Sequence, residues 1–333
     1  MADFNQLLKI LNRETPARPV LFELFMCDSI YRHAIGEKFD ASTPYQFLLS
    51  CAHAFDALGY DYVTAWGPMD FPKKDQVHLD TISLNDGAVI TDRMSFDRYQ
   101  WPDADTLDYS KFDQIKGELP KNMKLMVLGP CGVLENVIAL VGYEALSMMI
   151  FDDEQLVYDI FEQVGSRLVA YYKQTLTHES VGLVCANDDW GFNTQTMLSV
   201  ADMRRFVFPW HKEIVKVSHA AGRPVVLHSC GNFTQILDDL FDIGYDARHS
   251  YEDNIIPVEK AYDVLSNHLA VFGGIDVDFL IRESEEAIEE RVKMLLLKTG
   301  GKGYAVGSGN SIPNYIPVEK YFRMINTAKN FKF

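Results

Sequence analysis

The 333-residue sequence predicts an α/β protein folded as a single (β/α)8 (TIM) barrel. Three observations predict it. Short apolar segments alternate with amphipathic helical segments, there are about eight such units, and no Pro-, Gly- or Ser-rich stretch divides the chain. Strands alternating with helices pair in parallel through right-handed crossovers, and barrels of this kind often run past ~250 residues as one domain.

The strand candidates follow in order. VLFELF (20–25) is an apolar run interrupted by one acid, Glu23, and YDYVTAW (60–66) ends in an aromatic before Gly67. KLMVL (124–128) and VGLVCA (181–186) are short buried-type runs, the latter followed by the polar NDDW. PVVLH (224–228), ARHS (247–250), AVFG (270–273) and YAV (304–306) complete the set. Helical stretches lie between them at 45–58, 155–174, 233–241, 284–297 and 317–329. Their apolar residues recur at three- and four-residue steps, as in Leu156, Ile160, Phe161, Val164 and Leu168. Residues 67–122 break the rhythm, with Pro68, Pro72, Pro102 and Pro120 around a polar stretch. This is expected to be an excursion, with a hairpin and loops, over one barrel end.

Composition excludes several classes. The chain is 47% hydrophobic, so it can bury a core, and its longest apolar runs (137–143, 181–186) fall well short of the about 20 residues a membrane span needs. Lys and Arg number 31 against 47 Asp and Glu, a formal charge of −16. Phosphate backbones and anionic membranes require clustered basic side chains, so neither is an expected partner. The polar-ended N-terminal segment MADFNQLLKILN is not a secretory signal. Five cysteines (27, 51, 131, 185, 230) without a CxxC pattern fit a reduced, cytoplasmic protein.

In such a barrel chemistry sits where strands end. The polar strand ends are Glu23, Trp66, Cys131, 187–190, 228–231, 249–252, Asp276 and 308–310. His228 and Cys230 lie two apart at the end of a strand, so imidazole and thiolate can face one ion together. That pair suits a catalytic Zn2+ with an open coordination position. Taken alone the pair reads more readily as a small buried Cys beside a hydrogen-bonded His, and a zinc site needs a third ligand from elsewhere. Asp188 and Asp189 follow a strand, where neighbours face opposite ways, so one of them is expected in the pocket as a general acid; the pair reads equally as a helix or turn cap. Trp190 and Phe192 can stack on a substrate or belong to the rim.

The run HSCGN, then ILDDLFDIGYDA, HSYEDN, FGGID and GYAVGSGNSIPNYIPVEKY resembles the uroporphyrinogen decarboxylase superfamily, closest to its corrinoid-dependent methyltransferase branch. The resemblance implies a (β/α)8 barrel and zinc held by a His-x-Cys pair with a distant Cys, plus a displaceable carboxylate. His228 and Cys230 match the pair and Glu252 the carboxylate, whereas Asn310 stands where the distant Cys would fall and no cysteine follows Cys230. Glu252 or His249 is then the expected third ligand. The implied function is methyl transfer between a small methylated substrate and the cobalamin of a corrinoid-binding partner protein. A methyl donor with a polarised leaving group fits better than a thiol acceptor. Asp188, Asp189 and Glu252 are the expected catalytic groups. Glu23, Trp66, Trp190, Phe192, His249, Asp276 and Asn310 are expected to line the substrate pocket. The chain can also form a homo-oligomer. The alternatives are decarboxylation, for which only Arg32 follows the first strand where the decarboxylases carry several arginines, and a non-catalytic barrel binding a corrinoid protein or small ligand.

Overall fold

Seven parallel strands follow one another in chain order across a single curled sheet in the computed structural model, which describes residues 2–73, 84–85 and 87–333. They are β1 (Tyr62–Trp66), β2 (Lys124–Leu128), β3 (Val181–Asn187), β4 (Val225–His228), β5 (Ala247–His249), β6 (Ala270–Phe272) and β7 (Tyr304–Ala305). β3 reads VGLVCAN and is buried at every position but the last. A strand covered on both faces has no polar side to show, hence the continuous apolar run.

The helices form where the apolar spacing places them. Glu154–Thr175 buries Leu156, Ile160, Phe161, Val164 and Leu168, and starts where the Asp153 side chain accepts from Leu156 N–H. Pro44–Leu58 is capped by Thr43 and stopped by Gly59 in the left-handed conformation. The helix expected at 284–297 runs Glu285–Thr299 and that at 317–329 runs Val318–Asn330. The one expected at 233–241 begins as a 3-10 turn and continues as Leu237–Ile243.

The segment expected as the first strand makes only isolated bridges, Leu21 to Val306 and Met26 to Ile312. Phe22 N donates to Val306 O and Val306 N to Val20 O, both at 2.8 Å, so one side of the segment is backbone-paired. Its other side meets β1 through side chains. Thr64 Oγ1 donates to Leu24 O, and the Tyr62 hydroxyl bonds the Glu23 main chain. These hydroxyls take the place of a backbone ladder.

Between β1 and β2 the expected excursion holds helices Arg93–Arg98 and Lys111–Gln114, with no strand among its described residues. Trp101 anchors it, packing edge-on to Phe96 and Tyr99 beneath the Arg167 guanidinium. Positions 74–83 and 86 of that stretch lie outside the described residues. Among the described residues no single helix is long and apolar enough to cross a membrane.

Candidate functional site

The register of neighbouring strands assembles the site. Asn187 at the end of β3 pairs with His228 at the end of β4, so Asp188 and Asp189 leave the sheet beside Ser229 and Cys230. Asp188 N donates to His228 O at 2.9 Å and Cys230 N to Asp189 Oδ1 at 3.0 Å. Gly231 (φ +86) lets the two loops cross, since a Cβ there would lie 2.0 Å from Gly191 O. The Asp189 carboxylate, the His228 ring and the Cys230 thiol thereby come within 4.8 Å of one another.

These three donors fit a zinc ion by type: one thiolate, one imidazole and one carboxylate, with a fourth position open. His228 Nε2 and Cys230 Sγ are 3.9 Å apart, near the ~3.5 Å edge of a tetrahedron with ~2.0–2.3 Å bonds. Closing the widest pair takes about 1 Å of side-chain movement. Burial, then Asp189, pushes the Cys230 thiol up to about 12, so a metal would displace its proton on binding. Asn310 Nδ2 points at the sulfur at 3.4 Å while its Oδ1 accepts from Ser311 N. Asn310 is thus a hydrogen-bond donor to Cys230, with its carbonyl oxygen already engaged.

Several expected site residues sit elsewhere than the sequence suggested. Asp188 is fully buried and accepts from Leu134 N, Glu135 N, Trp190 Nε1 and His211 Nε2 at 2.8–3.2 Å. It caps the helix Val133–Val141 with three partners on Oδ2 and one on Oδ1, buried away from any pocket, so it is no pocket acid. Trp190 is 2% exposed and packs on Phe208 and His211, which makes it core. His249 is fully buried and outside the three-donor group. Its Nδ1 faces His228 Nδ1 at 2.8 Å and its Nε2 faces Ser308 O at 3.1 Å. Burial pushes its imidazole down to about 4.

Glu252 is also outside the three-donor group, whose carboxylate is Asp189. It lines a cavity of about 680 Å3 with Tyr251, Asp276, Asn310 and Tyr315. Its carboxyl is raised by burial, then by Asp276 and Asp189. Asp276 accepts from Asp278 N, Phe279 N and Asp253 N, so it shapes that cavity wall by capping Val277–Arg282. Phe192 is exposed beside Tyr143. Trp66 lines a different cavity, about 420 Å3, with Pro44, Phe47 and Lys111.

Glu23 lies fully buried, accepting from Ser308 N at 2.9 Å and bonded to Ser308 Oγ, which also reaches Asn310 O. Burial pushes its carboxyl up to about 8, so it holds a proton at neutral pH. The folded protein keeps that proton while the unfolded chain releases it near 4.5. Stability therefore falls by about 1.4 kcal/mol per unit as pH rises from the unfolded to the folded pKa, then levels off. Glu23→Gln is expected to remove this slope, so that it gains on the wild type in urea melts across that window. Parallel curves for the two proteins would refute a neutral Glu23.

Sequence reasoning missed Glu135 and His211. Glu135 is raised by burial, then by Asp188 and Asp189, and accepts from Gly132 N at 3.0 Å. A Gly cap in place of Ser or Thr hides this helix start from motif reading. His211 is a single histidine inside the helix Phe208–Ala220, with no local signal.

An α/β fold with a parallel sheet and a cluster of titratable groups at its carboxyl rim defines an enzyme-like class. Residues 108–331 match the family model for uroporphyrinogen decarboxylase (URO-D), and the chain belongs to that family. A uroporphyrinogen decarboxylase from Myxococcus xanthus is 28% identical over 171 residues, 51% of this chain and 47% of the relative. One from Koribacter versatilis is 23% identical over 203 residues, 59% and 56% respectively. The chain thus spans about half the length of these relatives. A methyltransferase from Methanosarcina mazei superposes with a TM-score of 0.70, covering 97% of both chains at 16% identity, which speaks to the fold.

Proposed function

We propose that this protein is a methyltransferase that moves a methyl group between a small methylated substrate and the corrinoid of a partner protein. The observation that carries the reading is the Asp189–His228–Cys230 group, three donors of zinc-ligand type converging at the rim. The segment 20–26 would be the eighth stave of a closed barrel, and the whole chain one domain, working in the cytoplasm.

Asp189, His228 and Cys230 would hold the metal, which when bound supplies Lewis-acid polarisation of a leaving oxygen or nitrogen. The protein's own groups do the rest. Cys230 N keeps Asp189 Oδ1 in place, leaving the second carboxylate oxygen free. Asn310 donates toward the sulfur and draws charge from it. Glu252 lines the adjoining cavity, where burial raises its carboxyl, and is the group placed to give a proton to the departing heteroatom. The partner's Co(I) corrinoid would supply the nucleophile for the methyl carbon, and the heteroatom would leave with the electron pair of the broken bond and take up a proton.

The family match and the curated relatives favour a second reading, decarboxylation of a porphyrinogen. A substrate with many carboxylates calls for free guanidinium groups. At this rim the buried arginine, Arg248, is already committed to Ser250 O and Ser229 O. Arg282 lines the cavity but is paired with Asp278 at 2.9 Å, and Glu252, Asp253, Asp276 and Glu283 around it leave the lining acidic, which repels a polyanion. The test is direct. With Co(I) cobalamin and a panel of methyl ethers and methylamines the protein is expected to form methylcobalamin. It is expected to leave uroporphyrinogen unchanged. Enzymatic release of coproporphyrinogen would overturn the choice.

A further inference from the structure

The His228 and His249 rings form a chain whose hydrogens can be placed from geometry alone. At its far end is Ser308 O, 3.1 Å from His249 Nε2. A carbonyl only accepts, so His249 Nε2 carries a proton. The two Nδ1 atoms face each other at 2.8 Å and share one proton between them. His249 is fully buried, edge-on to Phe22 and next in sequence to the Arg248 guanidinium, surroundings that favour a neutral ring. A neutral ring protonated at Nε2 offers a lone pair at Nδ1, so the shared proton belongs to His228. His228, neutral and protonated at Nδ1, then presents its Nε2 lone pair toward Cys230 Sγ.

We propose that His249 is a positioning residue that fixes the tautomer and rotation of His228, through the relay Ser308 O, His249, His228, so that the imidazole is ready to take a metal ion. The inference rests on the reading of Asp189, His228 and Cys230 as a metal centre. A metal-binding histidine must offer a lone pair on one nitrogen, and the hydrogen bond at the other nitrogen decides which. Here a second histidine makes that bond, and it is itself oriented by the Ser308 carbonyl, three residues past the end of β7.

Two features hold the relay's far end in place. The Ser308 main chain donates to Glu23, and the Ser308 side chain bonds both Glu23 and Asn310 O. Gly273 (φ +73) leaves the space in which ring and carbonyl meet. A Cβ there would lie 2.2 Å from Ser308 O and 2.9 Å from the His249 ring. Any side chain at this position would push the contact apart.

The test has two independent arms. In metal-free wild type labelled with 15N-histidine, two-bond nitrogen–proton spectra are expected to show His228 protonated at Nδ1 and His249 at Nε2. His228 protonated at Nε2 would overturn the relay. In the second arm, zinc affinity is measured by competition with a chromophoric chelator. His249→Gln keeps one acceptor and one donor, whereas His249→Phe keeps the ring volume and neither. The Phe variant is expected to bind zinc about 10–100-fold more weakly than wild type, and the Gln variant within a few-fold. A folded His249→Phe with wild-type affinity would overturn the proposal. Should that variant fail to fold, the tautomer spectra decide. Wild type that takes up no zinc yet shows the Nδ1 tautomer keeps the relay and discards the metal centre.

Discussion

Cys230→Ala is expected to leave the protein folded but without zinc, with affinity lowered by more than the 10–100-fold that loss of an outer hydrogen-bond partner costs. Cys230 supplies the thiol of the three-donor group, and Asp189 and His228 alone leave a divalent ion held by two ligands. The apo fold asks little of the thiol. Beside the Asp189 carboxylate, the thiol meets Asn310 Nδ2 at 3.4 Å, Ser250 Oγ at 3.6 Å and His228 Nε2 at 3.9 Å, all weak contacts to sulfur. Thermal melts in chelator should therefore differ by no more than a few degrees, while metal analysis of the purified proteins separates them completely. Methyl transfer from ethers or amines should fall with the metal. Equal zinc content in wild type and variant would remove Cys230 from the centre.

Much of the fold is legible because buried parallel strands are written as apolar runs. β2 coincides with the expected 124–128 and β3 with 181–186 plus one residue. The rim is legible for the same reason, since polar residues at the ends of such runs have few other places to go. Pairing across strands is not. Which of Asp188 and Asp189 faces Cys230 depends on the register of β3 against β4 and on the crossing at Gly191 and Gly231. The contact of His249 with Ser308 joins residues 59 apart across β6. No periodicity reports it. The segment at 20–25 looked like a strand by composition, yet its bonds to β1 run through Tyr62 and Thr64 side chains, which a propensity argument treats only as filler.

The adjacent carboxylates should separate completely when each is replaced. Asp188 accepts four hydrogen bonds in a site with no access to water, from Leu134 N, Glu135 N, Trp190 Nε1 and His211 Nε2. Asp188→Ala strands all of them, and each buried unsatisfied donor costs about 1–3 kcal/mol. A loss of at least ~3 kcal/mol is expected, read as an earlier urea midpoint at unchanged slope. Asp189 is only half-buried, and its single backbone partner, Cys230 N, can be kept by an amide oxygen. Asp189→Asn is therefore expected to melt within about 1 kcal/mol of wild type. Its effect falls on chemistry. Without its carboxylate a metal ion is held by His228 and Cys230 alone, the leaving heteroatom loses its polarisation, and transfer from methyl ethers or amines should fall with the zinc content. A donor whose leaving group departs unaided should be transferred nearly as fast as by wild type. The reverse pattern, a stable Asp188→Ala with no activity beside a fully active Asp189→Asn, would mean that Asp189 is not needed to hold the metal and that the buried carboxylate and its four donors serve the reaction.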